Sequence, residues 1–334
     1  MMGLEVSESV SNKFRNMSIV CALFVVIIHC RPRFEQGCIS WYVKELLENG
    51  VCEIAVPFFF LASGFFIAQR IEDGRYGVEI GKRVRTLLLP YIFWLLLFIL
   101  FQMCIVRHFT MPSLTQLGLD PFHCPALSPL WYVRALFCFS LLSPALIWLL
   151  KKSPLMTLMV FGCLYGVVCP YAPMPRWSLF KNIMRIGPVP VLGLFYFSLG
   201  MAIRLGLVKF VWKRTLTVLC FAMGVALVIG RAVLTDFGYG LAGVYCGFMS
   251  IPLLIIGFWE LIPERLWPKV LIASAFPIYL THKFFYPFVA HWCDKTSLFG
   301  YFSLFVCVFA LSLVATVTLR RLSPKFVAVV FGGR

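Results

Sequence analysis

The chain has 334 residues, of which 61% are hydrophobic, 16% aromatic and only 13% charged, and its formal charge at pH 7 is +16. Soluble domains run at about 45–50% apolar and about 25% charged residues, so this composition excludes a soluble enzyme, a disordered chain and a fibre. The basic excess lies in short loops between apolar runs, which points to membrane topology and anionic lipid rather than to nucleic acid.

The opening stretch, MMGLEVSESVSNKFRN, is polar and has no small-residue cleavage site, so no removable signal peptide is expected. A helix needs about 20 apolar residues to cross a hydrocarbon core of about 30 Å. Runs of that kind follow at 16–30, 51–69, 86–106, 130–150, 154–170, 186–203, 214–230, 241–262, 270–290 and 299–319. Gly and Pro interrupt the fifth to seventh, and membrane helices tolerate both. The fold class expected is all-α: a polytopic membrane protein with about ten transmembrane helices. Residues 1–15 form an N-terminal segment, 16–319 the membrane domain and 320–334 a tail. With the N-terminus in the cytoplasm, inside segments hold 19 Lys and Arg and outside segments 9, while Arg134 and Lys283 fall within spans. That bias places both termini in the cytoplasm and the chain in the inner or plasma membrane.

Ionisable side chains within spans are costly and mark functional sites by default. His29 follows Asn16 by thirteen residues, which at 1.5 Å per residue sets it about 20 Å above the cytoplasmic edge. His282 lies twelve residues after Val270, at about 18 Å, with Lys283 next to it. Arg134 sits near the outer start of the fourth span and Glu53 near that of the second. If the helices pack side by side, these five groups share a layer in the outer half of the membrane. One reading is a polar reaction chamber with a neutral His as general base. The other is bland: hydrogen-bonded packing histidines, an Arg134–Glu53 structural pair, and a Lys283 that snorkels to the interface.

A second cluster is cytoplasmic, with Arg70, Arg75, Lys82, Arg83 and Arg85 interleaved with Glu72, Asp73 and Glu79. It is either the ordinary basic inside loop or an anion site in which Lys82, Arg83 and Arg85 grip phosphates. No Gly-rich phosphate loop, metal-spaced His/Glu motif or GxSxG elbow occurs, which argues against an ATP-driven pump and a serine hydrolase. The thirteen cysteines form no CxxC pair and no zinc spacing, and no metal is expected. Outer Cys38, Cys124 and Cys293 are either paired or free, since no spacing selects a pair.

Five segments together resemble the acyltransferase-3 family of integral membrane acyltransferases. SIVCALFVVIIHC is similar to that family's opening helix and ends on His29. VPFFFLASGFFIA (56–68) resembles its second span, and KRVRTLLLPYIFW (82–94) its basic segment running into a Leu-Leu-Pro-Tyr helix. PLWYVRALF (129–137) carries Arg134 in a Trp-Phe-Leu-Arg-like stretch, and AFPIYLTHKFF (275–285) sets His282 on a late Ile-Tyr-Leu-x-His motif. The resemblance implies transfer of an acyl group, most often acetyl, from cytoplasmic acetyl-CoA or another acyl-CoA to a hydroxyl of an extracytoplasmic sugar or glycan. It implies His29 as general base or acyl relay, Arg134 as the cation near the thioester, His282 as a further catalytic residue, and Lys82, Arg83 and Arg85 as ligands of the CoA phosphates. Two positions depart from the pattern: Ser18 stands where the family has a cation, and Thr86 where it often has a second Arg, which bears on donor handling. A transporter of glycan precursors and an inactive scaffold in polysaccharide synthesis are the competing readings. Residues 31–50, 107–129 and 171–185 would shape the acceptor pocket, with Trp41, Tyr42 and Trp177 suited to sugar stacking or to interfacial anchoring.

Overall fold

The computed structural model describes residues 6–105, 130–168, 189–209 and 213–333. They form helices and turns throughout, so the all-α expectation holds. Among the described residues seven helical stretches are long and apolar enough to cross a membrane, and two shorter apolar helices accompany them; the chain is a multi-pass integral membrane protein. Each of the ten expected runs falls on a helix, but the one at 270–290 is not among the seven. Its helix, Lys269–Trp292, is 24 residues long; the polar triplet Thr281-His282-Lys283 and two prolines dilute its apolar content. Exposed Leu, Met and Val side chains cover the outward faces of the described helices, as lipid contact requires.

The chain separates into two compact units. One consists of Val6–Phe59 and Val211–Leu322. Its α1 (Glu8–Ile28) starts well before the expected span, because the Ser7 hydroxyl caps it by accepting the Val10 N–H at 3.3 Å. After a turn come α2 (Ile39–Glu48), a 3-10 turn (Val51–Ile54) and the first residues of α3 (Ala55–Glu72). The unit's later helices are α9 (Arg214–Asp236), α10 (Gly240–Leu261), α11 (Lys269–Trp292) and α12 (Leu298–Leu322). A buried cluster of Ala22, Val26, Cys30, Cys52, Ile278, Tyr301 and Leu304 joins α1, α11 and α12. Pro277 has no N–H for the Ala273 carbonyl one turn back; the Arg320 guanidinium from α12 donates to that carbonyl instead, at 2.6 Å.

The other unit is built mainly from Phe60–Phe210 and Ser323–Arg334. It carries the rest of α3, then α4 (Tyr76–Arg83), a π turn (Val84–Leu88), α5 (Leu89–Ile105), α6 (Trp131–Lys152), α7 (Pro154–Val168), α8 (Val191–Arg204) and α13 (Pro324–Val330). Helices α3 and α8 touch backbone to backbone: a Cβ on Gly64 would collide with the Phe197 carbonyl, and one on Gly200 with that of Leu61. Pro144 inside α6 frees the Ser140 carbonyl, which the Ser143 hydroxyl takes up at 2.7 Å. The expected tail is a packed helix, since buried Trp94 on α5 donates its indole N–H to the Val330 carbonyl at 2.8 Å.

Candidate active site

The first unit holds the best-formed constellation of chemistry-bearing groups, beginning with the position of α1. Asn16 is wholly buried. Its amide nitrogen donates to the Pro263 and Arg265 carbonyls, both at 2.9 Å, and its amide oxygen accepts the Trp267 N–H at 3.0 Å. Lys13, one turn earlier, donates to the Trp259 carbonyl at 3.3 Å. At the far end, the Arg33 N–H donates to the Lys295 carbonyl at 2.8 Å, and the Tyr286 hydroxyl to the Cys30 carbonyl at 3.2 Å. Helix α1 is thereby tied at both ends to the segments that flank or form α11.

That double attachment brings His29 and His282 together, with ring centroids 5.0 Å apart and ring planes at 56°. His29 closes the last turn of α1, and its Nδ1 lies 2.8 Å from the Val25 carbonyl oxygen. A carbonyl only accepts, so Nδ1 carries the proton and Nε2 carries the lone pair. His282 repeats the arrangement, with Nδ1 2.7 Å from the Tyr279 carbonyl. Its ring is buried and its Nε2 has no hydrogen-bond partner among the described residues. Leaving such a nitrogen unsatisfied costs about 1–3 kcal/mol, a penalty that a hydroxyl-bearing guest would relieve. His29 is only half-buried. Two imidazoles in one tautomer, each with its basic nitrogen uncommitted, can accept a proton from a hydroxyl and return it.

The other candidates divide. Lys283 lies beside His282 and is half-buried. Glu53 accepts from Arg231 at 3.2 Å, a partner that sequence reasoning counted only as an outer-loop cation. Arg134 lies on α6 of the other unit. Lys82, Arg83 and Arg85 also belong to that unit and differ among themselves. Arg83 is buried and its Nε donates to Glu79 at 2.9 Å, while Arg70 holds the other oxygen of the same carboxylate at 2.8 Å. Lys82 and Arg85 are exposed, so any grip on phosphates from this segment falls first to them. Ser18 spends its hydroxyl on the Phe14 carbonyl at 2.8 Å, and Arg15 is exposed. Cys38 and Cys293 are free thiols. Cys124, Trp177 and all of the 107–129 and 171–185 loops lie outside the described residues.

Sequence reasoning missed Asn16. Its amide at the head of an apolar run needs three partners once packing removes water, and only the folded structure shows that packing. Among the described residues no group of three His, Cys, Asp or Glu is placed to hold a metal.

A family model described as an acyltransferase domain, that of the acyltransferase-3 family, matches residues 15–321. No curated protein and no solved structure matches the chain.

Proposed function

Since the chain belongs to the acyltransferase-3 family and is an acyltransferase, we propose that it moves an acyl group, most simply acetyl, from cytoplasmic acyl-CoA to a hydroxyl of an extracytoplasmic glycan. On this reading ten helices cross the membrane, with both termini in the cytoplasm. The observation that supports it best is the His29–His282 pair, with rings 5.0 Å apart and both basic nitrogens free.

In the proposed step, His29 Nε2 takes the proton as the acceptor oxygen attacks the thioester carbonyl. A C–O bond forms, the C–S bond breaks, and the proton passes from the imidazolium to the leaving thiolate. His282 Nε2, buried beside His29, accepts a second hydroxyl of the acceptor or shares the proton. The Nδ1–H bonds to Val25 and Tyr279 keep both rings in the tautomer this needs. Arg134 is proposed, from its motif, as the cation that steadies the oxyanion. Lys82 and Arg85 are proposed to meet the CoA phosphates directly, with Arg83 holding their helix through Glu79.

The test is the ester content of surface glycans. Cells lacking the protein are complemented with wild type or with His29→Ala at equal abundance. Mild alkali then releases the acids for chromatography. Restoration by wild type alone supports the reaction and the base. Full restoration by His29→Ala removes His29 from the mechanism, and no response to wild type removes glycan acylation.

A further inference from the structure

The cations on the outer side of the histidine pair play no part in the proton transfer, and their surroundings are unusual. Lys283 follows His282 on α11 and is half-buried among apolar helices. Arg31 comes two residues after His29 and is exposed. It is the one residue other than glycine with a positive φ, 43°, among the described residues. An Arg held in that sparsely populated region is strained. In the turn that follows, the Arg33 N–H donates to the Lys295 carbonyl. The charges of Arg31 and Lys283 reach each other and His29.

Neither cation has an ion-pair partner within the described residues, although Lys13, Lys44, Arg70, Arg83, Lys151 and Arg231 all have one. Glu48, a buried carboxylate, is the acid whose charge reaches Arg31, and no ion pair forms between them. An ammonium half-buried in a membrane protein ordinarily pairs with an acid or snorkels to the interface. Lys283 is instead set next to the base pair, with Arg31 a second cation that forms no ion pair among the described residues. Two cations stand against one carboxylate, so the charge beside the histidine pair is net positive.

We infer that this site takes an anionic acceptor: a sugar bearing a carboxylate or phosphate, which Lys283 and Arg31 grip while the neighbouring hydroxyl faces the histidines. Lys283 is the deeper contact and supplies most of the selectivity; Arg31, at the mouth, draws the anion in. Both carboxylate and phosphate give the charge-assisted hydrogen bonds that a Lys and an Arg offer. The inference rests on the acyl-transfer reading for its choice of a sugar, but its test reads binding rather than transfer.

The experiment uses the full chain purified in neutral detergent. Its melting temperature is followed with increasing D-glucuronate, glucose 6-phosphate or glucose. A sugar acid or sugar phosphate is expected to raise it and glucose to leave it unchanged; the stronger of the two anions identifies the group. Lys283→Gln is expected to weaken that response by about tenfold or more, the loss of one charge-assisted bond, while Lys283→Arg retains it. Arg31→Gly removes the charge but accepts the positive φ, so a weakened response there reports charge and not backbone. Should glycan esters prove independent of the protein while glucuronate still binds through Lys283, the transfer reading fails and the anion site stands. Three results overturn the inference: an equal response to glucose, no response to either anion, or an undiminished response in Lys283→Gln. Phosphatidylglycerol that raises the melting temperature through Lys283 and blocks the sugar response would assign the cations to lipid and also overturn it.

Discussion

Replacing Asn16 tests whether the attachment of α1 holds the histidine pair in place. In Asn16→Ala the Pro263 and Arg265 carbonyls lose their donor and the Trp267 N–H loses its acceptor. The site is wholly buried, so water does not readily replace the amide. At about 1 kcal/mol for each net hydrogen bond the cost is about 3 kcal/mol. Asn16→Asp keeps an oxygen for Trp267 but sets a second oxygen against two carbonyls in a buried site. It is therefore expected to be worse than Ala, by about 1 kcal/mol or more. Unfolding can be followed with a fluorogenic thiol dye, because Cys21, Cys30 and Cys52 are buried in the same unit and react only when it opens. Both variants should melt earlier than wild type, in the order wild type, Ala, Asp. Equal melting of Ala and wild type, or an Asp variant more stable than Ala, would refute the three-bond account. Acyl transfer at a temperature where Ala remains folded should also fall, since the loop it loosens leads into the helix that carries His282.

Three further outcomes follow from the packing. Gly64→Ala and Gly200→Ala each drive a methyl into the facing carbonyl of the α3–α8 contact, so each should sharply reduce the yield of folded protein; normal yield and melting would show that the helices can part. Ser143→Ala should cost about 1 kcal/mol by stranding the Ser140 carbonyl. In a Pro144→Ala background that cost should shrink, because the restored backbone N–H serves the same acceptor, and thermal melting of the four-variant cycle reads the difference. For Glu53 and Arg231, paired at 3.2 Å and partly shielded from solvent, a double-mutant cycle with Gln at both positions should give a coupling near 1 kcal/mol. A coupling indistinguishable from zero would reduce the pair to incidental proximity.

Much of the architecture was legible before any coordinates, because the transfer energy of a segment is summed along the chain and needs no neighbours. The apolar runs therefore marked helices, and even the dilution of 270–290 by Thr281, His282 and Lys283 is local information. Motifs were legible for the same reason: His29, Arg134 and the Lys82–Arg85 stretch are positions along one segment. The roles within those stretches were not. Lys82, Arg83 and Arg85 look alike in sequence, yet Arg83 is buried against Glu79 and its two neighbours are exposed.

The sequence by itself determined that this is an all-α membrane protein and which ionisable groups share one helix, since helical rise converts residue number into height along that helix. Tertiary structure alone decided which of those groups meet. It paired His29 with His282, gave Glu53 to Arg231, closed Asn16 onto the loop before α11 and left Lys283 and Arg31 without an ion-pair partner among the described residues. The physical reason is that periodicity fixes a residue's height and face on its own helix. A hydrogen bond or ion pair also needs the partner helix's position and rotation, which come from packing across the whole unit.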